Sequence, residues 1–460
     1  MFNRRRFLKT LAIAAATPAR VLAADGKGAD ARFGKLQADP QGILDLPAGC
    51  SYTIISRTGE DMDDGLLVPG YHDGMAAFPA ENGTIRLVCN HEQYAAWQET
   101  SAFGPHQERL ALVERSKIYD YGGGSTPGAG GTTTIHYDPV AKERLSIRLS
   151  LAGTLINCAG GPMPWGSWLS CEETFDDPGT SFERGKIVHH EKRHGYIFEV
   201  PAGLDGLADP VPLTAMGRFE HEAAAANPAS GAIYLTEDRF QGLLYRFVPD
   251  VPGRLREGGR LQALAVAGRP GFDTRNWGPA TIEPGTWLDT EWLDLDEPDV
   301  DENDLRYRGQ EKGAAIFSRG EGICYANGDF AFTCTIGGPY RLGQIFAYRP
   351  SPAEGTAGEN TQPGKLGLIT QAGADSILRN ADNITMSPWG DLIVCEDTAD
   401  HCGLVGVRPD GRLYRVADNA YSKSELAGIC FSPDGSVMFV NKQQDGLTLA
   451  ITGPWSRKAS

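Results

Sequence analysis

One short pattern occurs six times in the sequence and constrains the fold more than any other feature. Each copy starts with a glycine in a turn, continues through five residues rich in apolar β-formers and ends in a pair of mostly polar residues. The copies occupy residues 83–90, 166–173, 231–238, 328–335, 390–397 and 435–442. Their starts are 45 to 97 residues apart, the size of one propeller blade plus variable loops. The pattern therefore predicts an all-β fold, a six-bladed β-propeller.

The composition agrees with one toroidal domain. Glycine (57 residues) and proline (29 residues) are abundant, which suits many short strands joined by turns. Long amphipathic helical windows are nearly absent. We expect residues 25–460 to form a single propeller domain.

The first 24 residues are typical of a twin-arginine signal peptide. Residues 3–9 read Asn-Arg-Arg-Arg-Phe-Leu-Lys, a short apolar stretch covers residues 11–16, and small residues suited to cleavage end the segment at Ala23 and Ala24. The apolar stretch is too short to span a bilayer, which needs about 20 residues. We predict export by the twin-arginine machinery to the periplasm or the medium, a route that carries folded proteins, often with metals inserted.

The charge of the chain excludes some partners. Removal of residues 1–24 moves the formal net charge from −16 to −21, because five basic residues are lost. So acidic a protein repels nucleic acid backbones and anionic lipid. The acidic residues serve either to keep the protein soluble or, where they cluster, to bind cations.

Acidic residues recur at the ends of the six copies. Equivalent positions on the blades of a propeller form a ring at one end of the central channel. Three copies end there in acidic pairs, and the other three end in Cys89-Asn90, Cys334-Thr335 and Asn441-Lys442. Carboxylates so close together repel each other and take up protons unless cations neutralise them, and calcium accepts six to eight oxygen ligands. We predict a multi-cation site at one channel mouth, with ligands among Glu172, Glu173, Glu237, Asp238, Glu396 and Asp397. The alternative is that these acids are solvated strand ends.

Further polar residues lie next to the copies and extend the predicted ring. They are Glu92, Glu220, Glu222, Arg319, Glu321, Asp382 and Glu425, together with Asn90 at the end of the first copy. A guanidinium matches the oxygens of phosphate, so Arg319 is a candidate phosphate ligand, with an ordinary ion-paired arginine as the alternative.

Familiar catalytic motifs are absent from the sequence. It contains no G-x-S-x-G, no H-E-x-x-H, no P-loop and no strand-flanked G-x-G-x-x-G. What remains is chemistry by a group of cations that bind phosphate oxygens and activate a nucleophile. The nine cysteines show no C-x-x-C spacing, and we expect most of them to be buried and free.

Several strings together resemble the PhoX family of alkaline phosphatases, over about residues 44–455. They include Asn157-Cys158-Ala159-Gly160-Gly161, Cys171-Glu172-Glu173, Glu220-His221-Glu222, Arg319-Gly320-Glu321-Gly322 and Asp382-Asn383. The resemblance implies a twin-arginine-exported, six-bladed propeller. It also implies a cluster of ferric iron and calcium, held by Glu, Asp, Asn and one Cys, that releases phosphate from monoesters.

The resemblance also implies roles for individual residues. Cys158 is the first choice for the iron-ligating thiolate, and Cys171 is the alternative. The implied catalytic residues are Arg319, Glu321 and Cys158, with Arg319 as the phosphate ligand. The implied iron or bridging carboxylates are Glu222 and Glu321, and the implied calcium ligands are Glu173, Asp238 and Glu396.

Two other functions fit the same pattern. One is a calcium propeller hydrolase acting on lactones or phosphotriesters, whose site needs one calcium and no thiolate. The other is a non-catalytic periplasmic binding or scaffold propeller in which calcium only braces the blades. Nothing in the sequence requires a protein partner, so we expect a monomer that acts on a small phosphate ester.

Overall fold

The computed structural model describes residues 32–456, so the predicted signal peptide at residues 1–24 lies outside the described residues. One α-helix, α1 (Leu305–Lys312), is present in this part of the chain, together with single-turn 3-10 helices and strands. The 3-10 helices are Glu81–Gly83, Gln98–Thr100, Leu110–Leu112, Arg115–Lys117, Gly122–Gly124, Thr214–Met216, Leu255–Glu257, Ala357–Asn360 and Pro454–Ser456.

The strands are short and follow one another through tight turns. The first fourteen are β1 (Leu36–Gln37), β2 (Leu46–Pro47), β3 (Ser51–Arg57), β4 (His72–Pro79), β5 (Ile85–His91), β6 (Gly130–Asp138), β7 (Glu143–Thr154), β8 (Asn157–Pro162), β9 (Ser167–Glu172), β10 (Gly179–Glu183), β11 (Lys186–His190), β12 (Ile197–Pro201), β13 (His221–Ala226) and β14 (Ile233–Glu237). The others are β15 (Leu244–Pro249), β16 (Gly259–Val266), β17 (Trp287–Leu295), β18 (Gly320–Ala326), β19 (Asp329–Cys334), β20 (Gln344–Arg349), β21 (Lys365–Gln371), β22 (Ala381–Met386), β23 (Leu392–Glu396), β24 (Cys402–Val407), β25 (Leu413–Asn419), β26 (Leu426–Phe431), β27 (Val437–Lys442) and β28 (Leu447–Thr452).

These strands form antiparallel sheets. Three sheets have four strands, in the orders β4-β5-β6-β7, β22-β23-β24-β25 and β26-β27-β28-β3, and one has three, β12-β9-β8. A nine-stranded sheet has the order β13-β14-β15-β16-β17-β21-β20-β19-β18, in which β17 joins two four-stranded runs. The pairs β1-β2 and β10-β11 are separate ribbons. This is an all-β, propeller-like arrangement.

The innermost strands of the sheets contact one another around a central channel. Each of these strands contacts the next: β4 contacts β8, β8 contacts β13, β13 contacts β18, β18 contacts β22 and β22 contacts β26. The ring is completed by contact between β26 and β4. The strands approach closely because small residues line them: a Cβ on Gly161 would lie 1.7 Å from the Ala224 carbonyl oxygen, and one on Gly322 would lie 2.8 Å from the Asn383 Cα. The ring closes where β3, near the start of the described chain, pairs with β28 near its end.

Apolar side chains fill the space between neighbouring sheets. Leu169 and Ile197 of the three-stranded sheet, for example, pack in one buried cluster with Leu235 and Phe247 of the nine-stranded sheet. All nine cysteines are free, and seven of them are buried, which confirms the expectation for these residues. Within residues 32–456, no helix combines the length and the apolarity needed to cross a bilayer.

Candidate metal centre

A bulge at the same place in the innermost strands brings ligand-type side chains to one mouth of the channel. In β4, β8, β13, β18 and β22 the pairing register shifts directly after the first residue. Such a bulge leaves a residue out of the ladder and redirects its side chain. The first bulge residues are Asp73, Cys158, Glu222, Glu321 and Asp382. In β26 the shift comes one residue later, and Gly428 with φ 63° occupies the bulge.

A second set of polar residues follows directly after the second strand of each sheet. The first residue of each innermost strand pairs with the last residue of its neighbour, as Asn157 does with Glu172. The residues that directly follow these second strands in the sequence are Glu92, Glu173, Asp238, Thr335, Asp397 and Gln443.

The strand pairing corrects the glycine-based alignment of two copies. His72 pairs with His91 and Leu426 pairs with Lys442, so the ring positions in the first and sixth copies are Glu92 and Gln443. They had been expected at Asn90 and Lys442. The cause is strand length, because β5 has seven residues and β27 has six, whereas β14 and β23 have five.

Two overlapping groups of side chains can each hold a cation. Cys158, Glu173 and Glu222 form one group, and Glu222, Glu321 and Asp382 form the other. In each group the ligand atoms lie within 4.8 Å of one another. Because Glu222 belongs to both groups, its carboxylate can bridge two neighbouring cations.

The electrostatics of these residues demand positive charge. Burial, followed by the charges of neighbouring acids, raises the pKa of Glu92 to about 7 and of Asp382 to about 8. The same causes raise the pKa of five other carboxyls well above the usual range: Asp73, Glu173, Glu222, Glu321 and Glu425. Carboxylates this close cannot all be ionised unless cations compensate them. The donor set thus fits bound metal ions.

Cys158 is the cysteine that the fold brings to this cluster. Burial and the negative charges of Glu222 and Glu173 raise the pKa of its thiol well above the usual value. A thiolate at this position would therefore require a bound cation. Cys171 is also fully buried and packs in the same apolar cluster as Cys158, but among the described residues it belongs to neither group of possible metal ligands at the mouth.

On the other side of the mouth, the side-chain amide of Gln443 contacts three carboxylates. Its Nε2 lies 2.7 Å from a carboxylate oxygen of Asp73, 2.7 Å from one of Glu92 and 3.0 Å from one of Glu425. The charge of Asp397 acts on both Glu92 and Glu425. The sequence places Glu425 among the polar residues of the predicted ring, but sequence reasoning did not select Asp73 or Gln443. A signal for Asp73 exists, because Asp73-Gly74 matches Cys158-Ala159, Glu222-Ala223 and Glu321-Gly322 as a ligand-type residue followed by a small one.

Arg319 lies beside the cluster in a fixed orientation. Its Nε and Nη2 donate to the two carboxylate oxygens of Asp238, both at 2.7 Å, and Nη2 lies 3.0 Å from Glu321. Burial alone would lower the pKa of Arg319, but the charges of Glu321 and Asp238 outweigh it and raise that pKa. The guanidinium is therefore a permanent cation at the edge of the metal centre.

The two members of each acidic pair point to opposite sides of their strand. This corrects the interpretation that both members face the channel. Glu172 is bound by the His194 Nδ1 at 2.7 Å and by backbone amides. Glu237 accepts from the Tyr245 hydroxyl at 2.9 Å, and Glu396 pairs with Arg415. Because side chains alternate along a strand, only the second member of each pair points toward the channel.

Two other predicted ligands also have partners outside the cluster. Asn303 donates to Glu220 at 2.6 Å, and Arg239 forms an ion pair with it. The Asn90 amide donates to the carbonyls of Cys158 and Ala159, and its oxygen accepts from Trp168 and Ser170. Asn90 therefore supports the Cys158 bulge from behind. The predicted ligands that the structure gathers at the mouth are Glu92, Cys158, Glu173, Glu222, Asp238, Glu321, Asp382 and Asp397.

Comparison with known proteins decides the family. The family model described as alkaline phosphatase PhoX matches residues 31–446 of this chain. The chain belongs to the PhoX family. Membership makes this PhoX protein a metal-dependent phosphatase, in agreement with the buried ligand set described above.

A solved structure with the same fold is that of a PhoX enzyme. Pseudomonas fluorescens PhoX in complex with vanadate, a transition state analogue, superposes with a TM-score of 0.64 at 18% identity, and the match covers 94% of this chain and 99% of that one. A gluconolactonase from Xanthomonas campestris superposes with a TM-score of 0.40 at 12% identity, covering 93% of this chain and 100% of that one. A search of curated protein sequences finds no match.

Proposed function

We propose that this PhoX-family protein hydrolyses phosphate monoesters with iron and calcium ions held at one mouth of a six-bladed β-propeller. The observation that carries the proposal is the position of Glu222, which belongs to two overlapping metal-binding groups. A carboxylate shared in this way is what a site with adjacent cations requires. When bound, the cations would neutralise the charge that develops on the phosphoryl oxygens.

The six-bladed architecture accounts for the sheets. Strands β13–β16 and β18–β21 would be two blades, joined because β17 pairs with an outer strand of each. The three-stranded sheet would be a short blade, and β3 would complete the last one. The closed order of the six innermost strands supports this count. We further propose that residues 25–460 are one domain, and that residues 1–24 direct export by the twin-arginine machinery to the periplasm or the medium.

The ligand chemistry divides the site into two halves. Cys158 and Glu222, which share one group, would hold iron, because thiolate is a soft ligand that hard cations such as calcium do not favour. Glu321, which shares the second group with Glu222, would be the further iron or bridging carboxylate. The all-oxygen half would hold calcium. Its carboxylates are Asp73, Glu92, Asp397 and Glu425 with Glu173 and Asp238 at its edge.

Arg319 would bind the phosphoryl group. Two of its nitrogens are bound to Asp238, and within residues 32–456 its Nη1 has no hydrogen-bond partner. Its side chain is 31% exposed, so a substrate can reach that free donor. The Asp238 pair would hold the guanidinium still, so that little freedom is lost when phosphate binds.

The test of the proposal combines metal content with turnover. The exported protein, purified without chelator, should contain both iron and calcium, and it should hydrolyse p-nitrophenyl phosphate at alkaline pH until a chelator removes them. Calcium without iron, together with no turnover, would overturn the proposal in favour of a metal-braced binding propeller. Turnover of a lactone or a phosphotriester alone would identify the calcium propeller hydrolase instead.

Cys158→Ser should lower the iron content while Cys171→Ser should leave it unchanged. The reason is that the Cys158 Sγ lies within ligand distance of Glu173 and Glu222, whereas Cys171 belongs to no such group among the described residues. Iron per chain, measured by elemental analysis on folded protein, checks this. Loss of iron in the Cys171 variant alone would reverse the assignment.

Arg319→Lys should lower kcat/KM by roughly 100-fold while the metal content is retained. A lysine cannot make the bidentate contact to Asp238 or present a planar fork to phosphate, and loss of one such donor typically costs about 100-fold or more. The matched control is Arg415→Lys, which alters an arginine paired with Glu396 outside the cluster. Equal rates in the two variants would contradict the role of Arg319.

A further inference from the structure

A second cluster of metal-binding residues lies outside the centre described above. Asp120, His190 and His194 offer ligand atoms that all lie within 4.8 Å of one another. They are 1%, 3% and 0% exposed. None of them belongs to the six innermost strands, so this cluster is separate from the channel mouth.

The two histidines and the carboxylate are close enough together to share one ion. The Asp120 Oδ2 is 3.1 Å from the His194 Nε2 and 3.9 Å from the His190 Nδ1. Zinc binds nitrogen and oxygen ligands at about 2.0–2.2 Å, so ligand atoms around one ion lie about 3–4 Å apart. The separations therefore match a shared ion.

Two of the three ligand side chains, His194 and Asp120, are held by further hydrogen bonds. The His194 Nδ1 lies 2.7 Å from the Glu172 Oε1, and Glu172 itself accepts from the amides of Gly195 and Tyr196. A histidine that donates its other nitrogen to a carboxylate is the usual support for a metal-ligating imidazole. Backbone amides fix Asp120: that of Gly122 donates to Oδ1, and those of Glu191 and Lys192 donate to Oδ2.

The charges of the cluster also favour a cation. His194 lies between the carboxylates of Glu172 and Asp120, both buried, so a positive charge is needed between them. A proton on His194 supplies one charge, and a divalent ion bound to its Nε2 would supply two while also engaging His190. The carboxylate of Asp176 acts electrostatically on His190 from another side.

We propose that Asp120, His190 and His194 bind a divalent transition metal ion, with zinc as the best match to two imidazoles and one carboxylate. The site would be structural. His190 is the last residue of β11, and the β10-β11 ribbon contacts the segment after Glu92: Glu183 accepts from the Ala96 amide, and the Lys186 ammonium donates to the Ala96 carbonyl. The ion would fasten this ribbon to the body of the protein beside the channel mouth.

The decisive experiment is anomalous diffraction from crystals of the exported protein, recorded above and below the zinc edge. The proposal expects an anomalous peak between Asp120, His190 and His194. Absence of density there in crystals grown with zinc and without chelator would overturn it, and His194 would then be an imidazolium between two carboxylates.

Zinc stoichiometry in variants gives an independent measure. His190→Ala should hold one zinc per chain fewer than the wild type, and His189→Ala, which removes the exposed neighbour on the same strand, should match the wild type. Equal zinc content in all three proteins would contradict the site. If His190→Ala does not fold, the wild-type diffraction still decides. Neither readout depends on turnover, so they stay informative even if the proposed phosphatase assignment fails.

Discussion

Glu222→Gln should reduce kcat/KM for phosphate monoesters at least about 1,000-fold and should remove more than one cation per chain. Loss of a single electrostatic contact in a catalytic site costs about 100- to 1,000-fold, and Glu222 is shared by two metal-binding groups. A glutamine keeps the size of the side chain but removes the charge and one of the two anionic oxygens. Initial rates on p-nitrophenyl phosphate and elemental analysis of the same preparation measure both effects.

Glu220→Gln is the matched control for that variant. Glu220 lies two residues away, and its carboxylate is engaged by Asn303, Arg239 and Arg306 and not by the cluster. We expect this variant to keep its metals and to lose less than about tenfold in kcat/KM, since no contact to the reacting group is removed. Equal losses in the two variants would mean that the assignment of Glu222 is mistaken.

Sequence reasoning recovered the repeated strand and the family, because both depend on local patterns. The six glycine-led copies contain the second strands β5, β9, β14, β19, β23 and β27. The longest interval between copies, from residue 231 to 328, contains β17 and α1, which explains why its spacing departs most from the others. The pairing of β17 with both β16 and β21 is a long-range contact that no local pattern indicates.

Sequence reasoning was less successful at choosing which acid of a pair reaches the cluster. The alternation of side chains along a strand separates Glu172 from Glu173, but it does not say which one faces the channel. That choice depends on distant partners: His194 for Glu172, Tyr245 for Glu237 and Arg415 for Glu396. The bulges that present Asp73, Cys158 and Glu222 arise from pairing with the neighbouring strand, so the small residue that follows each of them in the sequence becomes a signal only once that pairing is known.

Removal of the bound cations should lower the melting temperature by about 5–10 °C. Cations that bind only the folded state stabilise it by about 2.7 kcal/mol per site at 100 times Kd, and several sites add up. The entropy of unfolding is large for a chain of this length, so a loss of about 1 kcal/mol in the free energy of unfolding lowers the melting temperature by roughly 1 °C. The physical cause is repulsion among the carboxylates at the mouth, such as Glu92, Glu222 and Asp382, whose pKa values are raised by burial and by the charges of neighbouring acids.

Differential scanning fluorimetry with and without a chelator, at a fixed alkaline pH, measures this shift. Adding back calcium in excess of the chelator should restore part of it, and adding back iron as well should restore the rest together with activity. The zinc site inferred at His190 is separated by repeating the scan on His190→Ala, in which the contribution of the channel cluster should persist. A melting temperature that chelation leaves unchanged would mean that the carboxylates at the mouth are compensated by protons, because a cluster held by cations cannot lose them without losing their binding free energy.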